Sequence, residues 1–170
     1  MHYALIKFIG GLKMSMEILN NVDTVETSVS DITGNTEEYL AFISDGLSYV
    51  VSVSNIVEII MNHTITHLPK VPHFIRGIIN LRGQVIPIID VRLRMNRPQS
   101  ELSDEEVCVI VINVNDVLMG LLVEKVSHIV NLMPEHITPP PTNKHQELVS
   151  GIVNIDGSVY LLLDCERLLQ

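Results

Sequence analysis

The stretch GIINLRGQVIPIID, residues Gly77–Asp90, holds two apolar runs on either side of a short turn, Leu81–Gln84. Runs rich in Ile and Val around a glycine-containing turn predict a β-hairpin. The chain repeats this pattern as GIVNIDGSVYLLLD, Gly151–Asp164, which aligns with the first copy without gaps. Glycine, isoleucine, asparagine, valine and aspartate recur in register. The sequence therefore predicts two copies of one supersecondary unit.

The residues that recur have physical roles in such a hairpin. Gly83 and Gly157 follow the turn residue, where we expect a positive φ. Asp90 and Asp164 end an apolar run, so each is expected to cap a short helix that follows. Pro87 lacks an N–H donor, and we expect one edge of its strand to be unpaired or bulged there.

Upstream of each hairpin lies a second pair of apolar runs. Tyr39–Ser44 and Leu47–Val53 flank an Asp-Gly turn, and Val107–Ile112 and Val117–Val123 flank an Asn-Asp turn. Asp-Gly between apolar runs is a strong hairpin signal. About five short strands per unit, with frequent turns, predict an all-β protein built from two pseudo-symmetric five-stranded barrels with short connecting helices.

One segment of the first unit has a helical pattern. Val53, Ile56, Val57 and Ile60 are spaced as on one apolar helical face, and Ser54 is a suitable N-cap. We therefore expect a short helix or helical turn between the two hairpins.

The domain prediction follows from the repeat and from the polar segments around it. Residues 1–36 are predicted to be a mobile tail, 37–98 the first barrel subdomain and 99–170 the second, within one domain. The residues leave open whether strands are exchanged between the subdomains. A secretion signal is one interpretation of the N-terminus, and an upstream extension before a true start at Met14 or Met16 is the other.

Composition limits the class of protein. The chain has 46% hydrophobic and 18% charged residues, enough to bury a sizeable core, and a formal net charge of −9. That charge argues against general binding to nucleic acid or to an anionic membrane, and no apolar run is long enough to insert directly into a bilayer. Cys108 and Cys165 lie among apolar residues and are expected to be reduced core residues.

Catalytic and metal-binding patterns are weak. His63, His67 and His73 lack the tighter spacing and the cysteine neighbours of a zinc site. The NLRG and NIDG turns lack the Lys-Ser/Thr pair of a phosphate-binding loop, and no nucleophile-elbow motif occurs. We expect no cofactor and no enzymatic activity, although an enzyme or small-ligand binder built on the same barrel is an alternative.

The combination GIINLRGQVIPIIDVRLRM, supported by IVEII upstream and SGIVNIDGSVYLLLDCERLL at the end, resembles CheW-type chemotaxis coupling proteins from about Glu37 to Leu169. The resemblance implies two intertwined five-stranded barrels of the SH3-like type. It also implies a non-enzymatic cytoplasmic adaptor, whose partners are the cytoplasmic tips of chemoreceptors and the regulatory domain of the histidine kinase CheA. The same adaptor role in a surface-motility pathway is an alternative.

The resemblance also implies a receptor- or kinase-binding site. Arg82 matches the arginine of the family's coupling surface, and the second copy has Asp156 at that position, so the repeat itself does not require a cation. Glu58 matches an acidic position implicated in coupling. An apolar groove for a receptor helix would be lined by Leu40, Val53, Ile56, Ile59 and Val126. The alternatives are solvated surface charges for Arg82 and Glu58 and core packing for the apolar residues.

Overall fold

The computed structural model describes residues 6–9, 12–15, 36–61, 64–97, 107–141 and 148–169. Almost all the regular structure is β. The strands are β1 (Ile6–Ile9), β2 (Leu12–Ser15), β3 (Glu37–Ser44), β4 (Leu47–Ser52), β5 (Ile56–Ile60), β6 (Ile75–Leu81), β7 (Gln84–Asp90), β8 (Cys108–Val114), β9 (Val117–Val123), β10 (Lys125–Leu132), β11 (Val149–Ile155) and β12 (Ser158–Leu163). The α-helix α1 (Val91–Arg94) and 3₁₀ turns at Val53–Asn55, Pro134–His136 and Arg167–Leu169 complete the described elements.

The turns of the four repeated hairpins have the backbone conformations that their sequences predict. Asp45 and Gly46 have φ of 53° and 69°, and Asn115 and Asp116 have φ of 51° and 65°. Two consecutive positive φ values are the mark of a type I′ turn, whose twist matches that of the flanking strands. The positive φ expected at the glycines of the other two hairpins is confirmed, with 87° at Gly83 and 83° at the equivalent Gly157.

The strands form two five-stranded sheets, which are consistent with the two SH3-like barrels implied by the resemblance. Sheet A has the order β5-β8-β9-β7-β6, and sheet B has the order β10-β3-β4-β12-β11. Each sheet combines three strands of one repeat with a hairpin of the other. β8–β9 complete sheet A, and β3–β4 complete sheet B. The exchange that the sequence left open is therefore present, and it intertwines the two halves of the chain.

Both faces of each sheet carry apolar side chains. A central core lies between the sheets and takes residues from both, including Leu40 and Phe42 of β3 and Ile110 of β8. Smaller clusters lie on the other faces, with Val109 in that of sheet A and Ala41 in that of sheet B. Successive residues of a strand point to opposite faces, so a strand buried on both sides needs an unbroken apolar run. This is why β8 reads CVIVI.

Of the short helix or helical turn expected after β4, only a helical turn is present. The segment forms the 3₁₀ turn followed by β5, and Ser54 lies inside the turn rather than capping a helix. The register of β5 on β8 shifts between Ile56 and Glu58, which is a β-bulge. The extra residue puts Ile56 and Ile59 on the same face, towards the central core, although they are three positions apart. A bulged strand can thus show the same spacing of core-facing residues as a helix.

The second repeat contains the same irregularity. Val126 of β10 is opposite Phe42 and Ile129 is opposite Leu40, so one residue is extra. Val126 belongs to the central core, and Ile129 packs against it. The bulge is therefore part of the repeated unit, as β-bulges with a defined role usually are.

The expected caps are confirmed at both repeated aspartates. The Asp90 carboxylate accepts hydrogen bonds from the backbone N–H groups of Arg92 and Leu93 at the start of α1. It also forms a buried ion pair with the Arg92 guanidinium, with Nη2 3.0 Å from Oδ2. Asp164 accepts a hydrogen bond from the backbone N–H of Arg167 at 3.1 Å. Each aspartate thus fixes the chain where a barrel strand ends.

The expectation for Pro87 is also confirmed. The parallel ladder between β7 and β9 covers Ile88–Asp90 and begins just after the proline. In sheet B the equivalent ladder includes Leu161, the counterpart of Pro87, which is opposite Tyr49. The ladder of the first repeat thus begins one residue later than that of the second, because the proline has no N–H to donate.

The predicted N-terminal tail falls mostly outside the described residues. Within it, β1 and β2 pair with each other, and β2 lies beside β5. His63 of the histidine group also lies outside the described residues.

Candidate protein-binding site

Glu58 lies on β5 and owes its direction to the bulge. It is opposite Val111 of β8, whose side chain belongs to the smaller buried cluster on the face of sheet A away from the central core. Directly opposite residues of an antiparallel pair have their side chains on the same face. Glu58 therefore points away from the central core, and its side chain is 18% exposed.

Arg82 occupies the turn between β6 and β7. It has φ of 54°, which is unusual for a residue with a Cβ atom. The Asn80 side chain accepts a hydrogen bond from the backbone N–H of Gly83 at 2.9 Å and so holds the turn. The Arg82 side chain is 63% exposed. The hairpin thus carries a cation at its tip on a fixed backbone.

The structure brings these two predicted site residues together. Nη2 of Arg82 lies 3.1 Å from Oε1 and 3.0 Å from Oε2 of Glu58. β5 and β6 are the two edge strands of sheet A. A contact between β5 and the β6–β7 turn therefore requires the sheet to curve onto itself, as a barrel does. The ion pair stands where the two edges of the barrel meet.

The second repeat has different chemistry at the equivalent positions. His128 replaces Glu58, and its ring lies 2.8 Å from Ser127 Oγ through Nδ1 and 3.5 Å from Tyr160 Oη through Nε2. Asp156 replaces Arg82 with φ of 49°, and Asn154 holds its turn as Asn80 does. Among the described residues, Asp156 forms no ion pair. The fold thus repeats the turn but not the cation or its carboxylate partner.

The five apolar site residues gather in the central core. Leu40, Ile59 and Val126 are buried in it, and Val53 and Ile56 pack against it while staying partly exposed. The five residues thus belong to one packed apolar region, with Val53 and Ile56 at its partly exposed margin. The bulge explains this arrangement, since it turns Ile56 and Ile59 towards the central core and Glu58 to the opposite face of sheet A. Partner contact by these residues remains a prediction.

Sequence reasoning missed Val85 as a surface residue. It is 63% exposed on β7, and its counterpart Val159 is 53% exposed on β12. Both valines were assigned to the repeated scaffold because they recur in register within apolar runs. The signal that could have found them is their position beside the exposed turn, directly opposite Asn80 and Asn154.

The two cysteines of the described chain are buried. Burial raises the pKa of the Cys108 thiol to about 11, and burial together with the Asp164 carboxylate raises that of Cys165 to about 12. Both thiols are free and neutral at physiological pH. Within the described ranges, no three His, Cys, Asp or Glu side chains come together as metal ligands, and no helix is long and apolar enough to cross a bilayer.

Comparison with known proteins identifies the family. A family model described as the CheW-like domain matches residues 38–170. The chemotaxis protein CheW of Klebsiella aerogenes is 32% identical over 84% of this chain and 89% of its own length, and that of Bacillus subtilis is 29% identical over 79% and 87%.

A solved structure supports the same assignment. The crystal structure of the scaffolding protein TtCheW from Thermoanaerobacter tengcongensis matches with a TM-score of 0.71 and 27% identity, and covers 75% of this chain and 88% of its own. The predicted resemblance and the all-β fold are confirmed. The chain belongs to the CheW-like domain family.

Proposed function

We propose that this protein is a non-enzymatic chemotaxis adaptor that couples chemoreceptor cytoplasmic tips to the regulatory domain of the histidine kinase CheA. Family membership supports the scaffold role, since the relatives are named as chemotaxis and scaffolding proteins. The observation that carries the proposed site is the ion pair between Arg82 and Glu58, two residues that the resemblance assigned to the site and that lie 24 positions apart in sequence. We further propose a cytoplasmic location, in association with receptor arrays.

The proposed contact surface has a charged and an apolar part. Arg82 and Glu58 form the charged part, where two edges of sheet A meet. Val53 and Ile56 are partly exposed, and we propose that they make the apolar contacts. We assign Leu40, Ile59 and Val126 the role of packed support beneath them. A rigid support reduces the conformational entropy that the contact residues lose on binding.

An adaptor transmits a signal only if it binds two kinase states with different affinity. Equal affinity for both states would shift no equilibrium. The fixed geometry of the Arg82 turn, held by Asn80, provides a contact that a small rotation of a partner would break or form.

A pull-down tests the proposal. Purified protein is incubated with a chemoreceptor cytoplasmic fragment and with the kinase regulatory domain. We expect wild type to bind both, and we expect Arg82→Ala, Glu58→Ala and Ile56→Asp to weaken binding. Asp156→Ala, at the position equivalent to Arg82, is the matched control and should bind as wild type does. Failure of wild type to bind either partner would reject the coupling function.

A further inference from the structure

The two edge strands of sheet A, β5 and β6, have different neighbours. Beside β6, Thr66 exchanges two backbone hydrogen bonds of 2.9 Å with Ile78. Beside β5 lies β2, the second strand of the N-terminal hairpin. Among the described strands, β1 and β2 form a sheet of their own, so β2 lies next to β5 without joining its ladder. This contact can therefore open without breaking a strand ladder.

The strand next to the hairpin carries the proposed contact residues. Ile56 and Glu58 lie on β5 and are partly exposed. Val57, the extra residue of the bulge, has no partner in the register with β8 and is 43% exposed. Met61, which directly follows β5, is exposed as well. A segment that lies beside β5 therefore lies beside the surface that we assign to a partner protein.

The hairpin is an addition to the family fold. The CheW-like domain model matches residues 38–170, and β1 and β2 come before that range. In the second repeat, the bulged strand equivalent to β5 is β10, which is also the edge of its sheet. Among the described strands, no separate hairpin lies beside β10. The repeated scaffold therefore does not require the contact between β2 and β5.

The charge of the N-terminal segment favours its association with the rest of the chain. Residues 1–16 include Lys7 and Lys13 and no Asp or Glu, whereas the whole chain has a formal net charge of −9. Opposite charges attract the hairpin to the barrels. Residues 16–36 join β2 to β3, and such a covalent connection gives a tethered segment an effective concentration on the order of mM. A contact too weak to persist between two molecules can thus persist within one chain.

We propose that the β1–β2 hairpin is an autoinhibitory segment, which covers β5 and has to leave before a partner protein binds there. The inference rests on the proposed adaptor function and adds a regulation of its binding site. The apparent affinity of a site is reduced by the fraction of molecules in which the site is open. The docked hairpin therefore weakens partner binding, and a bound partner keeps the hairpin released.

Paramagnetic NMR on the full chain tests the contact. A nitroxide label attached to β2 through Lys13→Cys should broaden the amide resonances of β5 more strongly than those of β10. Cys108 and Cys165 are buried and neutral, so they should not react with the label. Adding a partner that binds β5 should remove the broadening, because the hairpin then leaves the strand.

A variant that disrupts the hairpin shows whether the broadening depends on it. Ile9 pairs with Leu12, so the connection between β1 and β2 consists of Gly10 and Gly11 alone. Two-residue hairpin connections need positive φ, which a β-branched residue resists. Gly10→Val/Gly11→Val should therefore disrupt the hairpin and abolish the broadening of β5. Gly34→Val, in the same N-terminal segment but outside the hairpin, is the matched control and should leave the broadening unchanged.

Titration calorimetry measures the regulation. The probes are the purified kinase regulatory domain and a chemoreceptor cytoplasmic fragment. Gly10→Val/Gly11→Val should lower Kd about fivefold for the probe that binds β5, which corresponds to a hairpin docked in about four-fifths of wild-type molecules. The Kd of the Gly34→Val control should stay within about twofold of wild type. Thermal melts of every variant establish that folding is retained.

The outcomes separate the inference from the function on which it rests. If wild type binds a probe and Gly10→Val/Gly11→Val binds it no more tightly, the inference is wrong and the adaptor function stands. Broadening of β5 that is absent, or that persists in the disrupted hairpin, would also overturn the inference. If neither protein binds either probe, the function and the inference fail together. Broadening that arises only between a labelled and an unlabelled copy would show that the hairpin docks on a second molecule, contrary to the proposal.

Discussion

Arg82 and Glu58 are 24 residues apart in sequence and share an ion pair with Nη2–Oε distances of 3.0 and 3.1 Å. The pair joins the β6–β7 turn to β5, so it connects the two edges of sheet A. No equivalent ion pair occurs among the described residues of sheet B, where a histidine and a tyrosine lie at 3.5 Å. The two repeats thus share a scaffold and differ at the point where each barrel closes.

The Arg82–Glu58 pair should contribute little to folding stability. Arg82 is 63% exposed, and exposed ion pairs typically contribute no more than about 1 kcal/mol. A double-mutant cycle with Arg82→Ala and Glu58→Gln, followed by urea denaturation, should give a coupling energy below that value. A coupling above about 2 kcal/mol would show that the pair has a structural role typical of buried ions.

The two repeated aspartates should differ strongly in their effect on stability. Asp90 is fully buried and pairs with Arg92, which is also buried. Asp90→Ala would leave the arginine without its carboxylate, and we expect a loss of about 3 kcal/mol or more. Asp164→Ala removes a cap and a partly exposed pair, for which we expect about 1 kcal/mol. Denaturation midpoints measure both, and equal losses would contradict this account.

Gly77 should tolerate no side chain. Its φ is 149°, and a Cβ atom there would collide with the backbone oxygen of Thr66. That backbone bridges to Ile78 with two hydrogen bonds of 2.9 Å, so it cannot move without breaking them. Gly157, with φ of 83° and open space around it, is the matched control.

We expect Gly77→Ala to lower the melting temperature far more than Gly157→Ala. The control substitution costs the backbone strain alone, about 1–3 kcal/mol. A similar melting temperature for the two variants would show that the Thr66 segment can shift to make room.

The buried thiols predict a loss of stability in alkali. The pKa values of Cys108 and Cys165 rise from 9.0 to about 11 and about 12 on folding. Between pH 9 and these values the folded state therefore binds more protons than the unfolded state. The stabilisation from neutral buried thiols is complete below pH 9 and is lost as the pH rises through this window.

The double variant Cys108→Ala/Cys165→Ala tests this dependence. Its free energy of unfolding should fall less than that of wild type between about pH 8 and about pH 11. Chemical denaturation at a series of pH values measures the difference. If the free energy of unfolding falls equally with pH in both proteins, the thiols do not cause the loss of stability in alkali.

Local patterns predicted the hairpins of this protein and missed its long-range geometry. The Asp45–Gly46 turn and the Asp90 cap depend on residues close in sequence, so the residues alone predicted them. The helical pattern from Val53 to Ile60 gave a helical turn only at Val53–Asn55, because a bulge gives strand β5 helical spacing. The contact between Glu58 and Arg82 depends on barrel closure. Strand exchange could not be predicted either, since similar repeats do not specify which hairpin completes which sheet.

We propose that residues 37–98 and 99–170 fold only together, because each sheet needs strands from both. Fragment 37–98 contains β3 to β7, but β8 to β12 are absent from it. Only the hairpins β3–β4 and β6–β7 would keep their pairing, and β5 would lose its ladder on β8. Isolated two-stranded hairpins are marginally stable in water.

Two fragments of similar length provide the test. Fragment 53–123 contains every strand of sheet A, from β5 to β9, although it lacks the face that sheet B covers. We expect fragment 53–123 to keep a β-sheet circular dichroism spectrum and dispersed amide resonances, and we expect fragment 37–98 to show neither. Mixing 37–98 with 99–170 should restore a one-to-one complex with native-like dispersion. A well-dispersed spectrum of fragment 37–98 alone would show that the subdomains fold independently, against the intertwined topology.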